Sequence, residues 1–504
     1  MNKHNIYSAK TNTADTSNLT WRDKRYQKFY SVADLLTDEL QEHNWLATGK
    51  LKRRLKGNDL IKLRYSVECI LRDCIAVVLH RRQKGEASIH LGQHHYGANR
   101  PDKLLTYKIT KERAFAGLIE LGYINVTRKG YHDKIGRKDG TSTSMLTRFV
   151  AKDKLLDLFT DEENRVFPAI VPQYVDPEPI KITVKEKDSK GVFRKHSLPV
   201  PINEVTHQMI SNIAMINRAL AKHWYDLEIP DNELSQLQKR LAGDFENPRL
   251  VRFDQRSVHR VFNDAECITG GRFYGGWWQN IPKEYQRHLI INRKPIIELD
   301  YSNQHPTILY ASENAVRPDD CYSGIIQAKT FPRGKTSKDL RNMIKQSFNA
   351  MLNAKKVLRN APGGAKPSDF GLKWKEVSEA IVKFHAPIAH HFYTGVGLKL
   401  QRIDSDIAEM VMLHFVKNGI AILPLHDSFI MHHGYENELR EQMDEAFKSV
   451  TGYSAKIDKK QPLLLPSDDY EDLSSNDDDL EELLKLFDVG HELRMEAFEK
   501  ILLK

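Results

Sequence analysis

Two aspartates, 127 positions apart in this 504-residue chain, have the types and settings that could do chemistry. Asp300 closes Ile296 to Tyr301, a β-branched apolar run that reads as a buried strand. Asp427 lies in Gly419 to His433, GIAILPLHDSFIMHH, where two apolar runs flank His426-Asp427-Ser428 as the turn of a hairpin. A lone Asp in a turn is ordinarily just a turn residue. A pair on neighbouring strands of one sheet can hold two divalent ions roughly 4 Å apart, one activating a 3′-hydroxyl and both clamping a transferring phosphate. Mg²⁺ suits such all-oxygen donors and substrate phosphates.

Between the aspartates lies Ser337 to Lys356, SKDLRNMIKQSFNAMLNAKK. Leu340, Ile344, Ser347, Phe348 and Met351 mark one helical face, and Arg341, Lys345, Asn349 and Asn353 recur at a spacing of four on the other. Cations at that spacing can grip a triphosphate, and a solvated basic face is the plainer alternative.

The order of these segments resembles a known family. Arg272 in TGGR, then Gln279-Asn280-Ile281-Pro282, Asp300-Tyr301-Ser302, Arg341-xxx-Lys345 and His426-Asp427 look like the polymerase motifs of family A DNA polymerases. Gly271-Arg272-Phe273-Tyr274 and His426-Asp427-Ser428-Phe429 are closer to the versions in phage-type single-subunit RNA polymerases. The likeness covers residues 250 to 435. It implies Asp300 and Asp427 as metal ligands, with the Tyr301 carbonyl as a further one, for two Mg²⁺ ions that Mn²⁺ can replace. It also implies a nucleotide site of Arg341, Lys345, His305, Asn349, Asn353 and Tyr301, with Lys345 acting in catalysis on the leaving pyrophosphate. Arg272, Tyr274, Gln279 and His426 would meet template or primer. Three departures stand out: Asn353 replaces the family's Tyr, His305 stands where Glu or Gly is usual, and Ser428 follows the second aspartate where DNA polymerases carry Glu.

The rest of the chain must position these groups. A net charge of +9 conceals a division: from Ser467 on there are 13 Asp/Glu against 4 Lys/Arg, so residues 1–466 carry +18. Such a body attracts phosphates. Cys69, Cys74, Cys267 and Cys321 have no CxxC spacing, which argues against zinc and disulfide frameworks and for a reducing compartment. The polar N-terminus and the absence of a long apolar run point to a cytoplasmic protein with no membrane partner.

Residues 1–55 read as a polar tail, with a helix over Val32 to Glu42. Leu60 to Arg81 carries a strong apolar stripe, and Thr110 is placed to cap a further helix that Gly122 ends. Two β-prone segments, Tyr123 to Arg128 and Met145 to Ala151, then flank a basic loop. Residues 56–160 thus look like a winged helix, with Lys108, Lys111 and Arg113 starting the recognition helix and Lys134, Arg137 and Lys138 in the wing. The same fold also serves protein contacts. Residues 161–202 read as a linker and hairpin. Helices over Glu204 to Tyr225 and Asn232 to Ala242 suit a thumb or a brace. Leu372 to Tyr393 reads as one helix bearing His385, His390 and His391, taken as ordinary histidines for want of a nearby carboxylate set. Ser405 to Lys417 reads as a helix capped by Ser405, with Asp404, Asp406 and Glu409 at its start, where acids complement the dipole. Residues 467–504 read as an acidic tail with a docking helix, a surface for a protein partner.

The expected fold class is α+β: a right-hand polymerase with an antiparallel palm sheet and helical fingers and thumb over 203–466, preceded by the winged helix. The expected function is template-directed nucleotidyl transfer from dNTPs or NTPs on a DNA template and primer, as a DNA polymerase. The alternatives are an RNA polymerase or primase of the same fold, and a non-catalytic DNA-binding replication initiator or regulator.

Overall fold

The computed structural model describes residues 27–48, 53–79, 86–96, 104–132, 144–159, 178–187, 193–242, 251–253, 255–460 and part of 491–499. The N-terminal body forms around two helices, α1 (Gln27–Glu42) and α2 (Gly57–Leu79). Phe29, Val32, Ala33, Leu36 and Leu40 recur at helical spacing on α1 and are buried against Leu63, Val67, Ile70 and Leu71 of α2. The polar tail expected over residues 1–55 is therefore corrected from residue 27 on, because this stripe belongs to the domain core. After β1 (Ala87–Ile89), widened turns over Lys108–Phe115 lead into α3 (Ala116–Glu120). Thr110 lies inside those turns and bonds Ser66 (Oγ to Oγ1, 2.9 Å), so it is a packing residue and not a cap. Strand β2 (Ile124–Arg128), the short pair β3 (Tyr131–His132) and β4 (Ser144–Met145), β5 (Thr147–Ala151) and α4 (Asp153–Leu156) complete this part. The antiparallel sheet has the order β1-β5-β2.

The second part opens with the hairpin β6 (Ile180–Lys187) and β7 (Phe193–Leu198), read from sequence as a linker unit. Then follow α5 (Glu204–Leu220), β8 (Tyr225–Leu227), α6 (Asp231–Ala242), β9 (His259–Phe262) and β10 (Gly270–Tyr274). β6 pairs in parallel with β9, giving the order β10-β9-β6-β7. The hairpin is thus built into the sheet that carries Arg272. α5 buries Met209, Ile213 and Ile216 in the main core, and Asn212 on it bonds Glu409 at 2.5 Å, which fits a brace.

A short α7 (Lys283–Gln286) leads to β11 (Leu289–Ile291), β12 (Lys294–Tyr301), α8 (Gln304–Ser312), α9 (Ser337–Asn353), α10 (Trp374–Phe384) and α11 (Gly397–Lys417). The chain ends its core with β13 (Leu423–Leu425), β14 (Ser428–His432), α12 (Glu436–Thr451) and β15 (Ile457–Lys459). These strands form an antiparallel sheet ordered β13-β14-β12-β11-β8, with β15 also on β12. The mixture of helices with antiparallel sheets agrees with an α+β class. α9 buries the face expected of it, Leu340, Ile344, Ser347, Phe348 and Met351.

Two helices differ from expectation. The one expected over Leu372 to Tyr393 stops at Phe384, because His385 (φ −99°, ψ 36°) leaves the helical region ahead of Pro387; a 3₁₀ turn, Ala386–His391, follows. α11 starts eight residues before Ser405, so Asp404, Asp406 and Glu409 lie mid-helix, where dipole complementarity does not explain them.

The acidic run at 468–482 lies outside the described residues. Beyond it, Met495 and Phe498 pack on Trp224, and Arg494 makes a two-pronged pair with Asp226 on β8 (2.8 and 3.0 Å), both side chains buried. The C-terminal segment is therefore docked on this chain's own sheet edge. Removing one partner of a buried pair strands the other charge, at a cost of about 3–5 kcal/mol. R494A should accordingly lower the unfolding midpoint in urea by a corresponding amount; an unchanged midpoint would show the dock to be unimportant for stability.

Candidate active site

The antiparallel register of β12 and β14 sets Asp300 opposite Ser428, the residue after Asp427. The Tyr301 N–H donates to the Asp427 carbonyl at 3.3 Å, so the two aspartates meet at one end of neighbouring strands. The hairpin turn requires His426 to take a left-handed conformation, φ 61°. Glu298, two residues before Asp300 on the same face, is buried and accepts from Ser428 Oγ at 2.8 Å. Lys460, just past β15, forms an ion pair with Asp300 Oδ2. Asp300 Oδ1 and Glu298 Oε2 are buried without a hydrogen-bond partner. Burial first, and the negative charge of Asp427 second, push the Asp300 carboxyl up to about 7, against the pull of Lys460. Burial alone would lower Lys460, and Asp300 reverses that and raises it.

A second knot lies alongside. Asp404 of α11 is fully buried and accepts from Arg272 of β10 through Nε (3.1 Å) and a terminal nitrogen (2.5 Å), and from His305 Nε2 of α8 (2.9 Å). Arg272 also feels Asp427, which helps hold its charge. His426 beside it is lowered by burial and by Arg272, its Nδ1 is buried and unpartnered, and Tyr274 meets its ring edge-on at 5.5 Å. Just beyond it on α11, Ser405, Asp406 and Glu409 surround the buried Arg260 of β9 at 2.6–2.8 Å.

On α9, Arg341 donates to Asp320 at 2.7 Å and lies over the Tyr322 ring, while Lys345 sits at 5.9 Å from the same ring with its side chain in solvent. Asp320 is held well below the usual carboxylate range: burial would raise it, and bonds from Arg341, Tyr322 N–H and Ser323 overcome that. Asn349 and Asn353 follow on this face, with Asn353 bonding the Asn349 carbonyl at 2.7 Å. The spaced face read from sequence is thus present, with Asp320 as an unforeseen counter-charge.

Several expected contacts are corrected. The Tyr301 side chain is buried among Phe429 and Phe447 and donates to the Met443 carbonyl at 2.7 Å, which leaves only its backbone for ligand contact. Gln279 donates to the Phe273 and Pro424 carbonyls, both at 3.0 Å, and so ties β10 to β13. Arg113 is buried in the N-terminal core. Lys111 donates to Tyr107 at 2.7 Å, and Lys108 is exposed. Lys134, Arg137 and Lys138 lie outside the described residues. Glu298, Asp320 and Lys460 were not singled out from sequence, and Asp404 was read only as a complement to a helix dipole; Asp404 and Lys460 meet partners remote in the chain, whereas Glu298, a carboxylate inside an apolar strand, carried a local signal. Among the described residues no helix is long and apolar enough to cross a membrane.

No protein-family model matches the chain, and no curated protein matches it in sequence. Among solved structures, the chain is similar to the POL domain of Pol1 from M. smegmatis in complex with DNA primer-template and dNTP, at 12% identity and a TM-score of 0.29. The match covers 85% of this chain and 65% of that one, so the chain spans less than two thirds of that length.

An acid whose folded pKa is raised binds its proton more tightly when folded, so its contribution to stability is present at low pH and falls as pH rises. For Asp300 that fall should span pH about 4 to about 7. Carbon-detected NMR of the Asp carboxyls should find one titrating near neutrality, moving down in D427N as the neighbouring charge disappears. A neutral-range titration unaffected by D427N would reject the coupling.

Proposed function

We propose that the chain is a template-directed nucleotidyltransferase, and specifically a DNA-directed DNA polymerase. The observation that supports this is the meeting of Asp300 and Asp427 at the ends of adjacent strands, with a buried, unpartnered oxygen on Asp300. Asp300, Asp427 and the Tyr301 carbonyl form an all-oxygen donor set suited to Mg²⁺. When bound, such ions supply charge neutralisation at the phosphate and a more acidic 3′-hydroxyl. The chain's own residues do the positioning. Asp404 holds Arg272 and His305 in fixed directions beside the carboxylates. In this reading Arg341 and Lys345, one helical turn apart on α9, would supply the cations for an outgoing pyrophosphate. His305 stands under the incoming sugar, where its ring excludes a 2′-hydroxyl.

The N-terminal helices packed with the small β1-β5-β2 sheet support a winged helix that grips duplex phosphates, with the +18 charge of residues 1–466 drawing the nucleic acid in. One feature favours a second reading. Lys460 already neutralises Asp300, as it would in a palm that binds DNA without chemistry.

Both readings meet in one experiment: purified protein, Mg²⁺, labelled dNTPs or NTPs, and templates with and without primer. D300A and D427A should each abolish extension while duplex affinity and thermal midpoint stay close to wild type. Extension surviving in either variant would reject the paired-carboxylate assignment, and its absence in the wild type with DNA binding intact would establish the non-catalytic reading.

H305G should raise the NTP to dNTP ratio of kcat/KM by about tenfold or more, about 1.4 kcal/mol of discrimination. A wild type that prefers NTPs, and loses that preference in H305G, would instead make His305 a ribose ligand and the enzyme an RNA polymerase or primase.

A further inference from the structure

The reading of His390 and His391 as ordinary histidines rested on the lack of a nearby carboxylate, and the fold supplies one. Glu313 caps the C-terminal end of α8, and its Oε1 lies 2.8 Å from His391 Nε2 and 3.2 Å from His390 Nε2. One donor atom from each of the three lies within 4.8 Å of the others. Adjacent residues seldom aim both side chains at one point; here the 3₁₀ turn Ala386–His391 brings the two imidazoles to 4.1 Å between centroids, with a 38° tilt. The turn is anchored to the same helix as Glu313: buried His385 bonds the Tyr310 hydroxyl of α8 at 3.0 Å and the Cys321 carbonyl at 2.9 Å. Thr394 fixes the His391 carbonyl at 2.6 Å.

From this geometry we infer a transition-metal site, His390–His391–Glu313, that takes Zn²⁺ or a similar borderline divalent ion. Bonds of about 2.0–2.1 Å in a tetrahedron separate the ligand atoms by roughly 3.3 Å, a small adjustment from the spacings present. Two imidazole nitrogens and one carboxylate oxygen favour zinc over magnesium, which prefers oxygen alone. Glu313 and His391 are partly exposed and His390 more so, which leaves a water as the fourth ligand. The ion would cross-link the end of α8, the helix that begins just past Asp300, to the turn after α10. This role is independent of the proposed polymerisation.

The full chain, stripped with chelator and dialysed into excess Mg²⁺, tests it by Zn²⁺ titration with thermal unfolding and by the Co²⁺ absorption spectrum. The expected result is one tightly held Zn²⁺, a raised midpoint, and a Co²⁺ spectrum with nitrogen and oxygen ligands and no thiolate band. H391A should weaken binding roughly tenfold or more and abolish the midpoint shift. E313Q, which keeps a hydrogen-bond acceptor for the histidines, should do the same while folding normally. No stoichiometric uptake by the wild type, equal uptake by both variants, or a thiolate band would overturn the proposal and leave two imidazoles hydrogen-bonded to one carboxylate.

Discussion

Asp404 is a carboxylate with no solvent of its own, and three separate elements of the C-terminal part are organised around its charge. It projects from α11, and it draws Arg272 from the β10 sheet and His305 from α8 onto one point. A buried carboxylate left alone costs several kcal/mol, so the fold is stable only when those partners arrive together. In the residues that follow, the arrangement is repeated with the sign reversed: Arg260 of β9, 1% exposed, is enclosed by Ser405, Asp406 and Glu409 of the same helix. α11 therefore joins the four-stranded sheet to the rest of the site through charge as well as apolar packing. Unlike oil-like contacts, these pairs fix direction, and they prevent Arg272 from swinging into solvent.

What could be read from the sequence follows the range of the interactions involved. Asp300, the Asp427 hairpin and the buried face of α9 rest on local periodicity, which survives folding. The acids of α11 were misplaced because Ser405 followed by two carboxylates imitates a helix start, whereas the helix begins at Gly397 and its interior acids answer arginines about 130–150 positions earlier. Lys460 belongs to the same class, since it has its meaning only beside Asp300, 160 positions earlier. Errors of direction form a second class. Tyr301, Gln279 and Arg113 have residue types that suit ligands, yet tertiary packing turns all three inward.

Domain limits behaved likewise. The hairpin β6–β7 looked detachable because its own turn is polar and its strands pair with each other, yet its parallel contact with β9 makes it part of the Arg272 sheet. α1 looked like the end of a tail because its residues before Val32 carry little periodicity, yet Phe29 is fully buried in the N-terminal core. In both cases the deciding partner lies outside any window that a local pattern can span.

The position of β12 has a consequence for biosynthesis. Its first residues pair with the preceding β11, but Ile296–Tyr301 pairs with β14 and β15, strands that arrive roughly 130 and 160 residues later in the chain. While a ribosome is still translating that interval, the apolar stretch Ile296–Leu299 has no edge to pair with, and such unpaired strands favour aggregation. Long-range closure of this kind is also slow. A nascent chain would therefore expose its stickiest segment until almost all of it had emerged, and holdase capture during translation would have most to offer over the stretch between Tyr301 and Ile457.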